Sequence, residues 1–404
     1  MKNLIFVSQF FAPDYAATGQ LLDQLVNQLS KKGIFCKVIT GMPSYSNNKK
    51  QDKFEKSHNK VIYRSISSRI FPKNFAGKRI NGFLFTISSM VKIVFTSNKK
   101  NIYLFTSEPA YLPIIASIVS VLFRKKYILL LYDLYPEILC GLNLINQKSL
   151  IIKMWKKLNR FMFKYSSEII VLSDPMKTVI QKYNKKLKNK ISVFPSWSDP
   201  KIIKPIPKKD NFFISKNKLL DYFVVLYSGN QGRCHDMYTI IKAAKLLKNH
   251  KKIVFLFIGN GFYNKELRNF AKDNNLKNCL FLPYQEFQDL PFSLNAADVS
   301  IVSVKKGLES LVAPSKLYGH LAAGTPILGV SGEKSFLDKL IKKWKFGYCI
   351  RNGCSDELAN LIVKLLNNPH LRNELGTRGI NYLIKNSTPY IVGKSYYNLI
   401  IKHL

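Results

Sequence analysis

The sequence predicts an α/β protein made of two doubly wound, parallel-sheet domains, and three observations lead to that fold class. Apolar runs of strand length alternate with segments of helical periodicity along the whole chain. The alternation stops once, at PSWSDPKIIKPIPKKD (195–210), where four prolines in sixteen residues exclude an interior helix or a central strand. It then begins again, and 404 residues are enough for two domains of ordinary size.

In the first half the expected strands are Leu4–Ser8, Phe35–Thr40, Val61–Arg64, Ile102–Thr106, Tyr127–Tyr132, Ile169–Leu172 and Ile191–Phe194. Helical patterns lie between them at Leu21–Lys32, Ile80–Ser97 and Leu150–Lys164. The most apolar helical run, Tyr111–Phe123, has 13 residues before Arg124, Lys125 and Lys126. A bilayer span needs about 20 residues, so this run is expected to be a core helix. In the second half the expected strands are Phe223–Ser228, Ile253–Gly259, Leu280–Leu282, Val299–Val302, Ile327–Val330 and Tyr348–Ile350. The helices there are Met237–Lys248, Tyr263–Asn274, Gln288–Ala296, Lys316–Ala323, Ser335–Lys343 and Ser355–Leu366. With the proline-rich stretch as hinge, the domains are expected at 1–205 and 206–385, followed by a closing helical segment at 386–404.

Composition narrows the function classes. A chain with 47% apolar and 13% aromatic residues buries sizeable cores and is not disordered. Six cysteines without a CxxC pair point to reduced thiols and a cytoplasmic setting rather than a disulfide framework or a zinc site. MKNLIFVSQFF reads as a buried strand and lacks the h-region of a signal peptide. The net charge of +39 is spread over both halves, with 32 Lys and Arg against 10 acids before residue 201 and 31 against 14 after it. Such a charge favours polyanions, either phosphorylated substrates or an anionic lipid surface, although a Lys-, Asn- and Ile-rich composition alone also produces it. No nucleic-acid recognition signature accompanies it, so nucleic acid is not an expected partner.

Three glycine-bearing turns follow expected strands: APDYAATGQLL (12–22), YSGNQGRCHDMYTII (227–241) and FIGNGF (257–262). Glycine between a strand and a helix lets the backbone approach a ligand, with free N–H groups aimed at anionic oxygens. None has GxGxxG or P-loop spacing, and each could be only a tight turn. In VAPSKLYGHLAAGTP (312–326), Ser315 is the expected N-cap of a short helix that Gly324 and Pro326 end. Lys316 then stands in the first turn, where the helix dipole disfavours a cation unless something negative lies in front of it. Lys316 gathered with Arg233 and His235 would suit a diphosphate. Glu309 could accept hydrogen bonds from sugar hydroxyls or be a loop surface charge. Asp133, in YDLYPEIL, could face a functional crevice from a strand end or merely cap a turn. No DxD occurs, so the usual paired-carboxylate metal clamp is missing, and no HExxH, GxSxG or Cys-His nucleophile signature is present.

FFAPDYAATGQLL, LYDLYPEI, VLYSGNQGRCHDMYTII, FLPYQEFQDLPFSLNAADVSIV and GLESLVAPSKLYGHLAAGTPIL together resemble the retaining glycosyltransferases of family 4. The likeness is greatest to the bacterial O-antigen and capsule sugar transferases similar to N-acetylfucosaminyl transferases. It runs in order through nearly the whole chain. It implies a GT-B fold, two Rossmann-like domains facing a central cleft, with the last helix crossing back onto the first domain. It also implies transfer of a hexosyl or N-acetylhexosaminyl unit from a UDP- or GDP-sugar to a lipid-linked glycan, with retention and with no metal or other cofactor. Position by position, Ser228, Gly229, Asn230, Gly232, Arg233, His235 and Lys316 would hold the diphosphate, and Gly259, Pro314 and Ser315 would belong to the donor-nucleotide site around it. Tyr284 and Gln285 would lie beside the base, and Leu317 and Tyr318 around the nucleoside. Glu309 would contact sugar hydroxyls, Asp133 would stand near the reacting sugar, and Gly19 would lie against donor phosphates or acceptor. The family's usual glutamates eight apart fall on Leu311 and Gly319. A nucleotide-sugar 2-epimerase of the same two-domain build is the alternative, although the acids its proton transfers need are few. RSISSRIFPKNFAGKRINGFLF (64–85), with Phe71, Phe75, Phe83 and Phe85 among cations, is either an interfacial segment on the inner membrane face or an ordinary loop and helix.

Overall fold

A computed structural model describes residues 3–14, 16–43, 51–71, 75–95 and 101–404. In chain order the elements up to the proline-rich stretch are β1 (Asn3–Ser8), α1 (Ala17–Lys31), β2 (Phe35–Gly41), β3 (Phe54–Ser57), β4 (Lys60–Ser65), α2 (Phe75–Phe95), β5 (Ile102–Thr106), α3 (Leu112–Leu122), β6 (Lys126–Leu131), α4 (Glu137–Gly141), α5 (Leu150–Tyr165), β7 (Glu168–Val171), α6 (Asp174–Gln181) and β8 (Ile191–Val193). After it come α7 (Phe212–Lys216), β9 (Phe223–Ser228), α8 (Met237–Leu246), β10 (Ile253–Ile258), α9 (Asn264–Asp273), β11 (Cys279–Leu282), α10 (Leu290–Leu294), β12 (Val299–Ser303), α11 (Lys316–Ala322), β13 (Ile327–Val330), α12 (Phe336–Trp344), β14 (Gly347–Ile350), α13 (Ser355–Leu366), α14 (Pro369–Asn386) and α15 (Pro389–His403).

The chain divides into two compact units, one running up to Pro195 and taking back Pro389–Leu404, the other Ser196–Thr388. The first unit is an eight-stranded sheet in the order β3-β4-β2-β1-β5-β6-β7-β8, parallel except for β3 against β4. Its order reverses between β1 and β5, and ligands of open α/β sheets bind beyond the carboxyl ends of strands at such a switch. β3 carries no apolar run, because FEKS is an edge strand with mostly exposed side chains, so the sequence pattern does not reveal it. α3 differs from the expected core helix: Ile118 and Leu122 on its outer face are exposed, and only the opposite face is buried. α15 docks on α1, where a β-carbon on Gly393 would lie 3.1 Å from Cβ of Gln28. Lys32 lies 5.6 and 5.1 Å from the ring centres of Tyr390 and Tyr397.

The second unit is a six-stranded sheet, all parallel, in the order β11-β10-β9-β12-β13-β14, with its switch between β9 and β12. Met237, Ile240 and Ile241 of α8 cover one face; Leu317, Tyr318 and Leu321 of α11 cover the other. Ile203 is buried in that second cluster, so the residues just after Pro195 pack with this unit, ahead of the expected boundary at 205. α14 has no counterpart in the sequence reading, because Gly376 and Gly379 interrupt its helical pattern. Both are required by packing on α11 and the turn after it. A β-carbon on Gly376 would lie 2.1 Å from the Gly324 carbonyl oxygen, and one on Gly379 would lie 2.9 Å from Leu321 Cδ2.

Candidate functional site

In the second unit, the lysine of PSKLYGHLAAG fills the space left by a glycine. Gly229, directly after β9, has φ of 121°, a backbone state that residues with a β-carbon avoid. A β-carbon there would lie 2.6 Å from Lys316 Cε, so the lysine stem runs along the bare turn. Lys316 Nζ is 3.0 Å from His235 Nε2, and His235 Nδ1 is 2.8 Å from the Ser303 carbonyl oxygen. A carbonyl only accepts, so Nδ1 carries the hydrogen and Nε2 offers its lone pair to the ammonium. Burial, and then the charge of Lys316, push His235 down to about 3. The imidazole is therefore neutral at any working pH and serves as a strut for the lysine. Burial brings Lys316 down to about 8, and its ammonium sits 5.6 Å from the Tyr227 ring centre, within cation–π range.

The glycine turns after β9 and β10 are closed on one another. Gly229 N–H donates to the Ile258 carbonyl (2.8 Å) and Gln231 N–H to the Asn260 carbonyl (2.9 Å). Gly259, with φ of 119°, has no room for a side chain: a β-carbon would meet the Gly229 carbonyl oxygen at 2.3 Å and Tyr284 Cε1 at 3.2 Å. The Tyr284 hydroxyl donates to the Asn260 carbonyl (3.2 Å), which places this ring at the mouth of the paired turns. Gln285 Nε2 turns back to the Pro283 carbonyl (2.8 Å). The side chain of Asn230 folds over Gly232, whose β-carbon would lie 2.9 Å from Asn230 Nδ2. Ser228 ends β9 beside Ile258. The exposed Arg233 guanidinium stacks 3.7 Å from the Phe262 ring centre, on the rim of the same loop as His235.

Glu309 is held in place by its loop: Oε2 accepts from Gly307 N–H (2.8 Å), and Gly332, just past β13, has no side chain to displace Oε1. Two expectations on α11 are corrected. Leu317 and Tyr318 are 0% and 1% exposed and pack inside the unit, because on a helix the positions after Lys316 rotate into the core. They are therefore not open to a nucleoside. Ser315 precedes α11 but has helical dihedrals (φ −62°, ψ −25°) and makes no capping bond. The turn already starts at the buried Pro314, whose carbonyl accepts from Leu317 N–H at 3.3 Å. Gly324, with φ of 73°, does end the helix.

In the first unit three neighbouring parallel strands, β1, β5 and β6, bring their following loops to the switch point. Asp133 lies beyond β6, and the Ser107 hydroxyl oxygen accepts from the backbone N–H groups of Tyr132 and Asp133 at 3.0 and 3.2 Å. Burial raises Asp133 to about 6. Glu108, just past β5, is raised to about 7 by burial and then by the charge of Asp133, against a hydrogen bond with Thr18. Sequence reasoning missed Glu108; its signal is the SEP triplet (107–109) directly after the strand IYLFT. Gly19 is corrected as well. It is buried in α1, and a β-carbon would lie 2.9 Å from its own loop's Phe11 nitrogen, so the glycine serves helix–loop packing, not ligand approach. Glu137 accepts a 2.5 Å hydrogen bond from the Tyr183 hydroxyl.

The two raised carboxyls predict a stability trend. Their folded-state values lie above the ordinary 4.5 and 3.8, so between about pH 4 and 7 the folded chain binds more protons than the unfolded one. Their contribution to stability therefore increases as pH falls through 7 towards 4. Glu108→Gln is expected to weaken that increase in denaturant titrations at pH 7.5 and 5.5, and an unchanged pH trend would count against raised carboxyls at this strand end.

Comparison with known proteins finds likeness both in sequence and in fold. Residues 208–382, within the second unit, match the family Glycosyl transferases group 1. WbjE of Pseudomonas aeruginosa, named a probable glycosyltransferase, is 23% identical over 371 residues, 90% of each chain. WcaI of Escherichia coli (strain K12), whose name assigns it to colanic acid biosynthesis, is 31% identical over 137 residues, 32% of each chain. Among solved structures, Anabaena HepE in complex with UDP-glucose superposes with a TM-score of 0.71 at 13% identity, covering 100% of both chains. The fold is GT-B, and residues 208–382 carry the likeness to the group 1 glycosyltransferases.

Proposed function

We propose that this glycosyltransferase moves a hexosyl or N-acetylhexosaminyl unit from a UDP- or GDP-sugar onto a growing, lipid-linked cell-surface glycan, with retention and without a required metal. The observation that supports the reading most is the Lys316 ammonium, laid along the bare backbone of Gly229 and propped by neutral His235. A fixed positive charge beside paired glycine turns can neutralise a departing diphosphate, and such electrostatic stabilisation is often the largest catalytic contribution. Arg233 on the loop rim adds a second cation, Glu309 contacts sugar hydroxyls, and Tyr284 with Gln285 flanks the base. Asp133 and Glu108 serve the acceptor side. The names of the relatives support a nucleotide-sugar donor and a cell-surface product. The reaction then belongs on the cytoplasmic face of the membrane, with the protein attached peripherally. A 2-epimerase is not favoured by the family match, and epimer formed from donor without acceptor would restore it.

Two measurements test this reading. UDP or GDP at a hundred times its dissociation constant should stabilise the chain by about 2.7 kcal/mol, with binding and turnover unaffected by EDTA. Absence of any nucleoside-diphosphate effect on melting would remove the donor assignment. The pH profile of kcat/KM should fall above about 8, where free Lys316 loses its proton, and below about 6, where Asp133 gains one. Because bound diphosphate favours the ammonium, the alkaline limb of kcat should lie at higher pH than that of kcat/KM. Coincident alkaline limbs would argue against contact between Lys316 and the donor.

A further inference from the structure

α2 has an outward face of the wrong chemistry for water. Ile80, Phe83, Ile87, Val91 and Phe95 recur at steps of three and four residues and are all exposed, Phe95 to 81%. A surface helix normally carries polar residues on that stripe. The opposite stripe, with Phe85, Met90 and Ile93, is buried, so the helix is apolar on both sides. Phe85 therefore does not belong to the interfacial set expected from 64–85, whereas Phe71 and Phe83 are exposed; 72–74 and the Phe75 side chain lie outside the described residues.

The surface continues onto α3. The Tyr111 hydroxyl donates to the Arg79 carbonyl (2.8 Å), and a β-carbon on Gly82 would lie 2.6 Å from that hydroxyl, so the start of α3 is seated on the first turns of α2. On α3 the exposed side chains are Ile118 and Leu122, with Phe123 just beyond it, and Leu122 is 72% exposed. Cations frame both ends: Lys78 and Arg79 open α2, and Arg124, Lys125 and Lys126 follow α3. From Lys56 to Tyr132 the sequence holds thirteen Lys or Arg and a single acid, Glu108. A second copy of a chain with net charge +39 would be repelled from this face, whereas an anionic lipid surface would be drawn to it. Among the described residues no helix is long and apolar enough to cross a membrane.

We propose that the outer faces of α2 and α3 form a docking surface for an anionic phospholipid bilayer, with the apolar stripe lying among the acyl chains and the flanking cations at the headgroups. The proposal deepens the reading of a lipid-linked acceptor and rests on it for its purpose. Its test does not depend on catalysis. The full chain is co-sedimented with phosphatidylcholine vesicles with and without phosphatidylglycerol, and UDP binding is measured on the same samples.

Expected is binding that requires phosphatidylglycerol and weakens with salt, and that falls about tenfold or more in the Ile87→Ser, Val91→Ser double variant. Lys78→Gln with Arg124→Asn should lose the preference for anionic vesicles. Lys78 and Arg124 are exposed and Ile87 and Val91 are 43% and 50% exposed, so melting should fall only slightly and show that the variants fold. Vesicle binding equal in all variants overturns the proposal, as does a wild-type dimer that the double variant dissociates, which would assign the face to a second copy. Vesicle binding without nucleotide binding would instead overturn the transferase reading and leave the docking surface standing.

Discussion

Lys316→Met is expected to lower turnover by about a hundred- to a thousandfold, the loss typical of removing one preorganised group that meets developing charge. The same variant should fold as well as the parent or better. Burial holds the ammonium near 8 instead of its ordinary 10.5, so the unfolded chain binds its proton more tightly and the folded state carries a penalty below pH 8. Converted directly, that shift is at most ~3 kcal/mol at neutral pH, and the partial exposure of the side chain reduces it. Methionine keeps an unbranched stem against Gly229 and removes the charge. His235 Nε2 then loses its donor, which takes back about 1 kcal/mol. Activity and stability should therefore move in opposite directions, and the increase of parent stability between pH 8 and 10 should vanish in the variant. Near-parental turnover in Lys316→Met would sink the diphosphate role. A large drop in melting temperature would instead mean that the lysine holds the fold.

Gly259→Ala should be the most destabilising single methyl addition at the site, by about 3–5 kcal/mol and a melting shift on the order of 10 °C. Two costs coincide there. The φ of 119° is strained for any residue with a β-carbon, and the added carbon would lie 2.3 Å from the Gly229 carbonyl oxygen. That oxygen is backbone at the end of a central strand and cannot swing away. Gly229→Ala differs in kind: its φ is similarly strained, but its nearest neighbour is the flexible Lys316 stem. It should cost about 1–3 kcal/mol in stability and more in activity, because the lysine must leave its track. Gly353→Ala is the control, with φ of 89° and nothing within 4 Å, so only backbone strain remains. Thermal melts of the three variants in parallel check the order, and equal shifts for Gly259→Ala and Gly353→Ala would show that the two turns are not in contact.

Much of the framework was legible because parallel strands buried on both faces appear as continuous apolar runs. Ile102–Thr106, Phe223–Ser228 and Ile327–Val330 have the same bounds by pattern and by structure. Elements without an apolar signature were not legible. β3 is a polar edge strand, and α14 carries Gly376 and Gly379 for contacts the sequence does not reveal. Within the candidate site, motif position indicated Lys316 and the glycine turns. It could not separate Lys316 from Leu317 and Tyr318, because consecutive helical residues point 100° apart and only the packing shows which direction faces the core. Glu108, the middle residue of SEP, carried only that triplet as a signal until β1, β5 and β6 proved adjacent.

The sequence by itself determined the two α/β sheets, the glycine turns at their strand ends, the cationic balance and the resemblance to glycosyltransferases, since each depends on local periodicity or on a short motif. Tertiary structure alone decided that Lys316 meets Gly229 and His235, residues more than eighty positions away in the chain, and that His235 is neutral there. It also decided that Gly19 serves packing and that the outer stripe of α2 is exposed. Those properties depend on burial and on distances between remote segments, which come into existence only once the sheets have closed.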